Sequence, residues 1–149
     1  MIDELNFMIM NDPNNLNENY YFTKGNTHLP TVVLNKAQNK FEFSGVSMPE
    51  DSLSFYLPIL EWLDTYKQEP NEKTIVIFKM SYINSSSSKM MDKIFNKLDE
   101  MYLDGHNVVI QWHYHIDDED MFSDGKIYLE EKSFPYEFIN YGTEHEYIM

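Results

Sequence analysis

The sequence predicts an α/β fold, a small mixed β-sheet with helices packed on it. Three observations carry this. Two short β-rich runs lie close enough to pair as a hairpin, a continuous apolar run reads as a central strand, and helical patterns alternate with the later strands. Strands separated by helices run parallel through right-handed crossovers, so the sheet should be antiparallel at its start and parallel afterwards.

The elements follow in order. Residues 1–19 are dominated by Asn and acid, with a turn signal at Asp12-Pro13-Asn14-Asn15, and read as an N-terminal extension. A first strand begins near Tyr20-Tyr21-Phe22-Thr23. Thr31–Leu34 and Lys40–Ser44 form the hairpin. Ser47-Met48-Pro49-Glu50 has the form of a capping box, with Pro in the first turn. The helix it opens carries Leu53, Phe55, Tyr56, Leu57, Ile59, Leu60, Trp62, Leu63 and Tyr66, an apolar surface wide enough to be buried on more than one side. Pro58 lies inside it and predicts a kink or break near Ser54–Leu57.

Thr74–Phe78, running on to Ile83, predicts a strand covered on both faces. After Asn84 and four serines, the stripe Met90, Met91, Ile94, Phe95, Leu98, Met101 and Tyr102 predicts a helix closed at Asp104-Gly105. Asn107–Tyr114 is a strand, Asp117–Asp120 starts a short helix, and Phe134–Ile139 is a final strand. The domain spans 20–140, followed by an acidic, aromatic tail over 141–149.

The 149 residues suit one domain, and 42% hydrophobic content is too rich in core formers for a disordered chain. The charge is one-sided: 25 acidic residues against 11 basic ones give −14, and every basic residue is lysine. That argues against nucleic acid and anionic membrane as partners, and for a protein partner with a basic face. The absence of cysteine excludes disulfides, thiolate metal sites and cysteine nucleophiles. An acidic start, no signal-peptide pattern and no membrane-length apolar run predict a cytoplasmic protein.

The segment Asn84-Ser85-Ser86-Ser87-Ser88-Lys89 places several hydroxyls at a helix start. One reading makes a serine the N-cap. A second makes the run a phosphorylation site, where a phosphate meets unpaired N–H groups and the positive helix end, with Lys89 nearby. A third, a nucleophilic-serine enzyme, lacks both a G-x-S-x-G elbow and a spaced His/Asp pair. His113 and His115 project from one face of a strand and, with Asp117, could hold a metal in a hydrolase. No second ligand cluster accompanies them, and two histidines on a polar strand face is the plainer reading. Asp117–Asp120 lacks calcium-loop spacing and reads as a solvated acidic face available to a basic partner.

Ordered landmarks run through the chain: Phe41-Glu42-Phe43-Ser44-Gly45, Met48-Pro49-Glu50-Asp51, Phe55-Tyr56-x-Pro58-Ile59-Leu60-x-Trp62-Leu63, and Tyr82-Ile83-Asn84-Ser85-Ser86-Ser87-x-Lys89. Trp112-x-Tyr114, Asp118-Glu119-Asp120-Met121 and Gly125 complete them. From about Tyr20 to Phe138 the sequence resembles the SiaC family of bacterial regulatory phosphoproteins, whose fold is similar to the STAS domains of anti-sigma-factor antagonists. The resemblance implies a non-enzymatic partner switch with no cofactor. In it, a serine/threonine kinase and a PP2C-type phosphatase control one hydroxyl, and the unphosphorylated form binds an effector such as a diguanylate cyclase. By position the acceptor is Ser85, with Ser86 the competing hydroxyl, and Asn84, Ser86, Lys89, Asp118 and Asp120 are the expected partner-binding residues. An interaction module without phosphorylation is the remaining alternative.

Overall fold

The computed structural model describes residues 19–143. Of the expected extension over 1–19 and the expected tail over 141–149, residues 1–18 and 144–149 therefore lie outside the described residues. Among the described residues nine elements follow one another: β1 (Tyr20–Thr23), β2 (Thr31–Asn35), β3 (Lys40–Ser47), α1 (Ser52–Tyr66), β4 (Lys73–Ile83), α2 (Ser85–Leu103), β5 (Asn107–His115), α3 (Glu119–Leu129) and β6 (Tyr136–Tyr141).

The six strands form one sheet in sequence order, β1-β2-β3-β4-β5-β6. The first three pair antiparallel and the last three join in parallel, so the expected mixed sheet is present. Each parallel connection moves the chain one strand in the same direction. Right-handed crossovers that all step the same way put the three connecting helices on one face. Val32, Leu34, Phe41, Phe43, Val76, Phe78, Met80, Val108, Ile110 and Trp112 supply the sheet side of the resulting core, and α1, α2 and α3 supply the other.

That topology corrects the expectation of a β4 covered twice. Thr74, Val76, Phe78 and Met80 are buried, whereas Ile75 and Ile77 are only half-buried and Lys79 and Ser81 are exposed. Aromatic contacts bind the two layers. Phe43 stacks on Phe78 with ring centres 4.8 Å apart, Phe78 meets Phe95 of α2 at 4.7 Å, and Phe95 reaches Tyr128 of α3 at 5.4 Å.

The start of α1 also differs from expectation. Ser47 is the last residue of β3, paired in parallel with Ile83, and its backbone is committed to the sheet. The cap is Asp51, whose carboxylate accepts from Ser54 N at 3.1 Å. Pro58 does not break α1, which runs continuously through it. Proline withdraws the N–H that would reach the Ser54 carbonyl, a loss of one backbone bond at an exposed residue. Of the wide apolar surface expected on α1, Tyr56, Ile59, Leu60, Trp62, Leu63 and Tyr66 are buried, whereas Leu53 is 54% and Leu57 45% exposed. At the end of the chain Phe134 is buried but precedes the strand, and β6 runs to Tyr141, one residue past the expected domain limit.

Candidate functional site

The C-terminal ends of β3 and β4 lie side by side, so the chain leaves both at one edge and enters α1 and α2 there. Asn84 is the hinge of the second exit. Its backbone is extended (φ −78°, ψ 172°), its N–H donates to the Ser47 carbonyl at 3.0 Å, and its side-chain oxygen accepts from Ser87 N at 2.9 Å. Asn84, not a serine, is therefore the N-cap, and all four serines belong to the first turn of α2.

Each of the four hydroxyls has a different fate. Ser87 is fully buried: Tyr56 donates to Ser47 Oγ (2.5 Å), Ser47 donates to Ser87 Oγ (2.8 Å), and Ser87 donates to the Ser47 carbonyl (3.2 Å). Ser47, Tyr56 and Ser87 are each fully buried, and the relay leaves none of their hydroxyls without a partner. Burial pushes the Tyr56 phenol up to about 12, against the lowering effect of its Ser47 and Ser87 hydroxyl partners. Ser88 Oγ accepts from Tyr128 of α3 at 2.7 Å. Ser86 Oγ meets Ser52 Oγ of α1 at 2.6 Å and Asn84 Oδ1 at 3.3 Å. Ser85 is exposed and its hydroxyl has no hydrogen-bond partner among the described residues.

The hydroxyl run thus presents one free oxygen, on the first residue of a 19-residue helix, beside backbone N–H groups that have no intrahelical acceptor. Lys89, one turn on, is exposed and makes no ion pair among the described residues. Asn84 and Ser86 have their side-chain oxygens engaged inside the chain.

Asp118 and Asp120 approach the same edge from α3. Asp118 caps that helix, accepting from Met121 N at 3.0 Å, and Asp120 is exposed. With Asp124 they line an open groove whose other wall is Ser81, Tyr82 and Ile83, the residues leading into Asn84. Burial, then the charges of Asp120 and Asp118, raise the Asp124 carboxyl above the ordinary carboxylate value. Tyr82 is 51% exposed beside them.

The histidine pair follows a different geometry. His113 Nε2 lies 3.2 Å from Gln111 Oε1 on the face of β5 opposite Trp112, its pKa lowered by burial and then by Lys79. His115 Nδ1 accepts from Asp117 N, and its ring meets Tyr141 edge-on at 5.6 Å. Among the described residues, no group of three or more His, Cys, Asp or Glu is placed to hold a metal.

The sequence reading missed Ser47, Ser52, Tyr56 and Tyr128, which hold the serine hydroxyls. A signal for the first three was present. Adjacent parallel strands bring their following loops together, so hydroxyls after β3 face hydroxyls after β4.

Sheet order, one-sided helices and this edge define a two-layer α/β protein that presents a single free hydroxyl at a helix start. The chain belongs to the SiaC family of regulatory phosphoproteins, whose sequence profile matches residues 23–141. It is similar to an uncharacterised protein of Pseudomonas aeruginosa (strain UCBPP-PA14), 24% identical over 112 residues, which span 75% of this chain and 89% of that one. Its fold is similar to SiaC of Pseudomonas aeruginosa, with a TM-score of 0.75 at 21% identity over 82% of this chain and 98% of that one. It also matches a structure of the diguanylate cyclase SiaD in complex with its activator SiaC from the same organism. There the TM-score is 0.77 at 22% identity, covering 81% of this chain and 99% of the matched chain. Among the described residues no helix is long and apolar enough to cross a membrane.

Proposed function

We propose that this protein is a non-enzymatic, cytoplasmic switch in which phosphorylation of Ser85 controls binding to an effector protein. The carrying observation is that Ser85 alone, of four adjacent serines, offers an exposed hydroxyl without a hydrogen bond among the described residues, at a helix start. Family membership supports a regulatory phosphoprotein. The SiaD–SiaC complex supports a diguanylate cyclase as the effector class.

A kinase transfers a phosphoryl group from a nucleoside triphosphate: the Ser85 Oγ–P bond forms, the bond to the departing diphosphate breaks, and the hydroxyl proton passes to the kinase. A PP2C-type phosphatase reverses the modification by hydrolysis. The product carries about −1.5 to −2 charge, placed where the positive end of α2 and Lys89 tolerate it without unfolding the domain. The unmodified edge, with Asn84, Ser86, Lys89, Asp118 and Asp120 around it, docks the effector. A phosphate in that contact brings a desolvation cost that weakens it.

The test is intact-mass measurement and site mapping of protein recovered from native cells, followed by effector binding. One phosphate on Ser85 is expected. Ser85→Ala should bind the effector and escape regulation, and Ser85→Glu should lose at least tenfold in affinity. Equal binding of Ser85→Glu and wild type would overturn the blocking mechanism.

A further inference from the structure

Ser85 and Ser86 are neighbours in sequence and both are exposed. Exposure alone offers a kinase two acceptors. Hydrogen bonding separates them. The carboxamide oxygen of Asn84 can only accept, so Ser86 gives its proton to Asn84, and the short contact with Ser52 is then donated by Ser52. Both functions of the Ser86 hydroxyl are occupied, whereas those of Ser85 are free among the described residues.

Ser52 is well placed to hold this contact. It is the first residue of α1, 8% exposed, fixed behind the Asp51 cap, and it reaches across to the start of α2 from 34 positions earlier in the chain. We propose that Ser52 is a specificity-determining residue for the modification: it engages Ser86 and confines phosphorylation to Ser85. This rests on the phosphorylation reading above.

Phosphoryl transfer to Ser86 demands more than transfer to Ser85. The oxygen must first release the Ser52 proton before it can bond to the γ-phosphorus of the nucleoside triphosphate. Its own proton must leave Asn84 for the kinase base as the bond to the departing diphosphate breaks. The product phosphate would then stand against the Asn84 oxygen that caps α2 through Ser87 N. Transfer to Ser85 disturbs none of these groups.

The experiment uses full-length wild type, Ser85→Ala, Ser52→Ala and the Ser52→Ala/Ser85→Ala pair. Each is produced in native cells lacking the chromosomal copy, and phosphate is located by intact mass and fragment mapping. Wild type should carry one phosphate on Ser85, and Ser85→Ala should carry at least tenfold less in total. The double variant should regain phosphate on Ser86, about fivefold above Ser85→Ala, the scale of one neutral hydrogen bond. Ser52→Gly removes the same hydroxyl and should repeat the gain, and Ser52→Thr, which keeps a hydroxyl, should not.

Wild type modified on Ser85, with folded double variants as unmodified as Ser85→Ala, would overturn the role of Ser52 alone. So would full modification of Ser86 in Ser85→Ala. Wild type bearing no phosphate on any of these serines overturns the phosphorylation reading and this inference with it.

Discussion

Tyr56 joins the β3–α1 and β4–α2 junctions through one hydroxyl, and its burial has a measurable alkaline signature. Its ring is fully buried, and its phenol is raised from 10 to about 12. A raised phenol keeps its proton longer in the folded than in the unfolded chain. The neutral form's contribution to stability is therefore fully present below pH 10 and is lost as pH rises through about 12. A shift of this size corresponds to about 3 kcal/mol across that window. Tyr56→Phe removes the titration and also the proton given to Ser47. The variant should be less stable than wild type at pH 7, by about 1 kcal/mol. It should also lose less stability between pH 10 and 12, which urea unfolding at pH 7, 10 and 12 would reveal. Parallel decline of both proteins over that window would show that Tyr56 does not carry the alkaline loss.

At the scale of elements, α3 docks through Gly125. A Cβ built there would lie 2.5 Å from Trp112 Cδ1 and Nε1, and the same indole N–H donates to the Met121 carbonyl at 2.9 Å. Gly125→Ala gains up to about 1 kcal/mol of helix propensity but forces α3 off the ring, an overpacking cost of about 1–3 kcal/mol. A Tm lowered by about 3–6 °C, with altered tryptophan fluorescence, is expected; a raised Tm would mean that α3 shifts without cost.

Local pattern explains which elements were legible. The front of β3, β5 and the body of α2 announce themselves by alternation or helical stripe, because each is buried on one face; β2, buried at four consecutive residues, announces itself by a short β-branched run. The start of α1 did not, because parallel pairing of Ser47 with Ile83 consumes the serine that a capping box would use. The start of β6 was misplaced because Phe134 is apolar through core packing, while Pro135 joins the sheet only by its carbonyl, accepting from Ile110 N. The serine run was visible as a site. Its sorting into one free and three held hydroxyls was not, since the partners of Ser86, Ser87 and Ser88 lie 34 to 40 positions away.

At the scale of the molecule, a net charge of −14 sets a long-range field, and one phosphate changes it by only about a seventh. If bulk repulsion governed binding, modification would matter little beside ionic strength. The Debye length falls from about 10 Å at 0.1 M salt to about 3 Å at 1 M, so salt screens the attraction between separated surfaces. A group buried in the contact is screened far less. Steering by the acidic surface therefore belongs to the association rate, and the phosphate at the α2 start belongs to the contact itself. The check is binding kinetics of unmodified and Ser85-phosphorylated protein against the diguanylate cyclase effector at 50 and 500 mM salt. Association of the unmodified form should slow by about tenfold at the higher salt. The affinity ratio between the two forms should stay within about twofold. A ratio that collapses toward one at 500 mM would assign regulation to the overall field, and the exposed hydroxyl of Ser85 would then be no more than a convenient place to add charge.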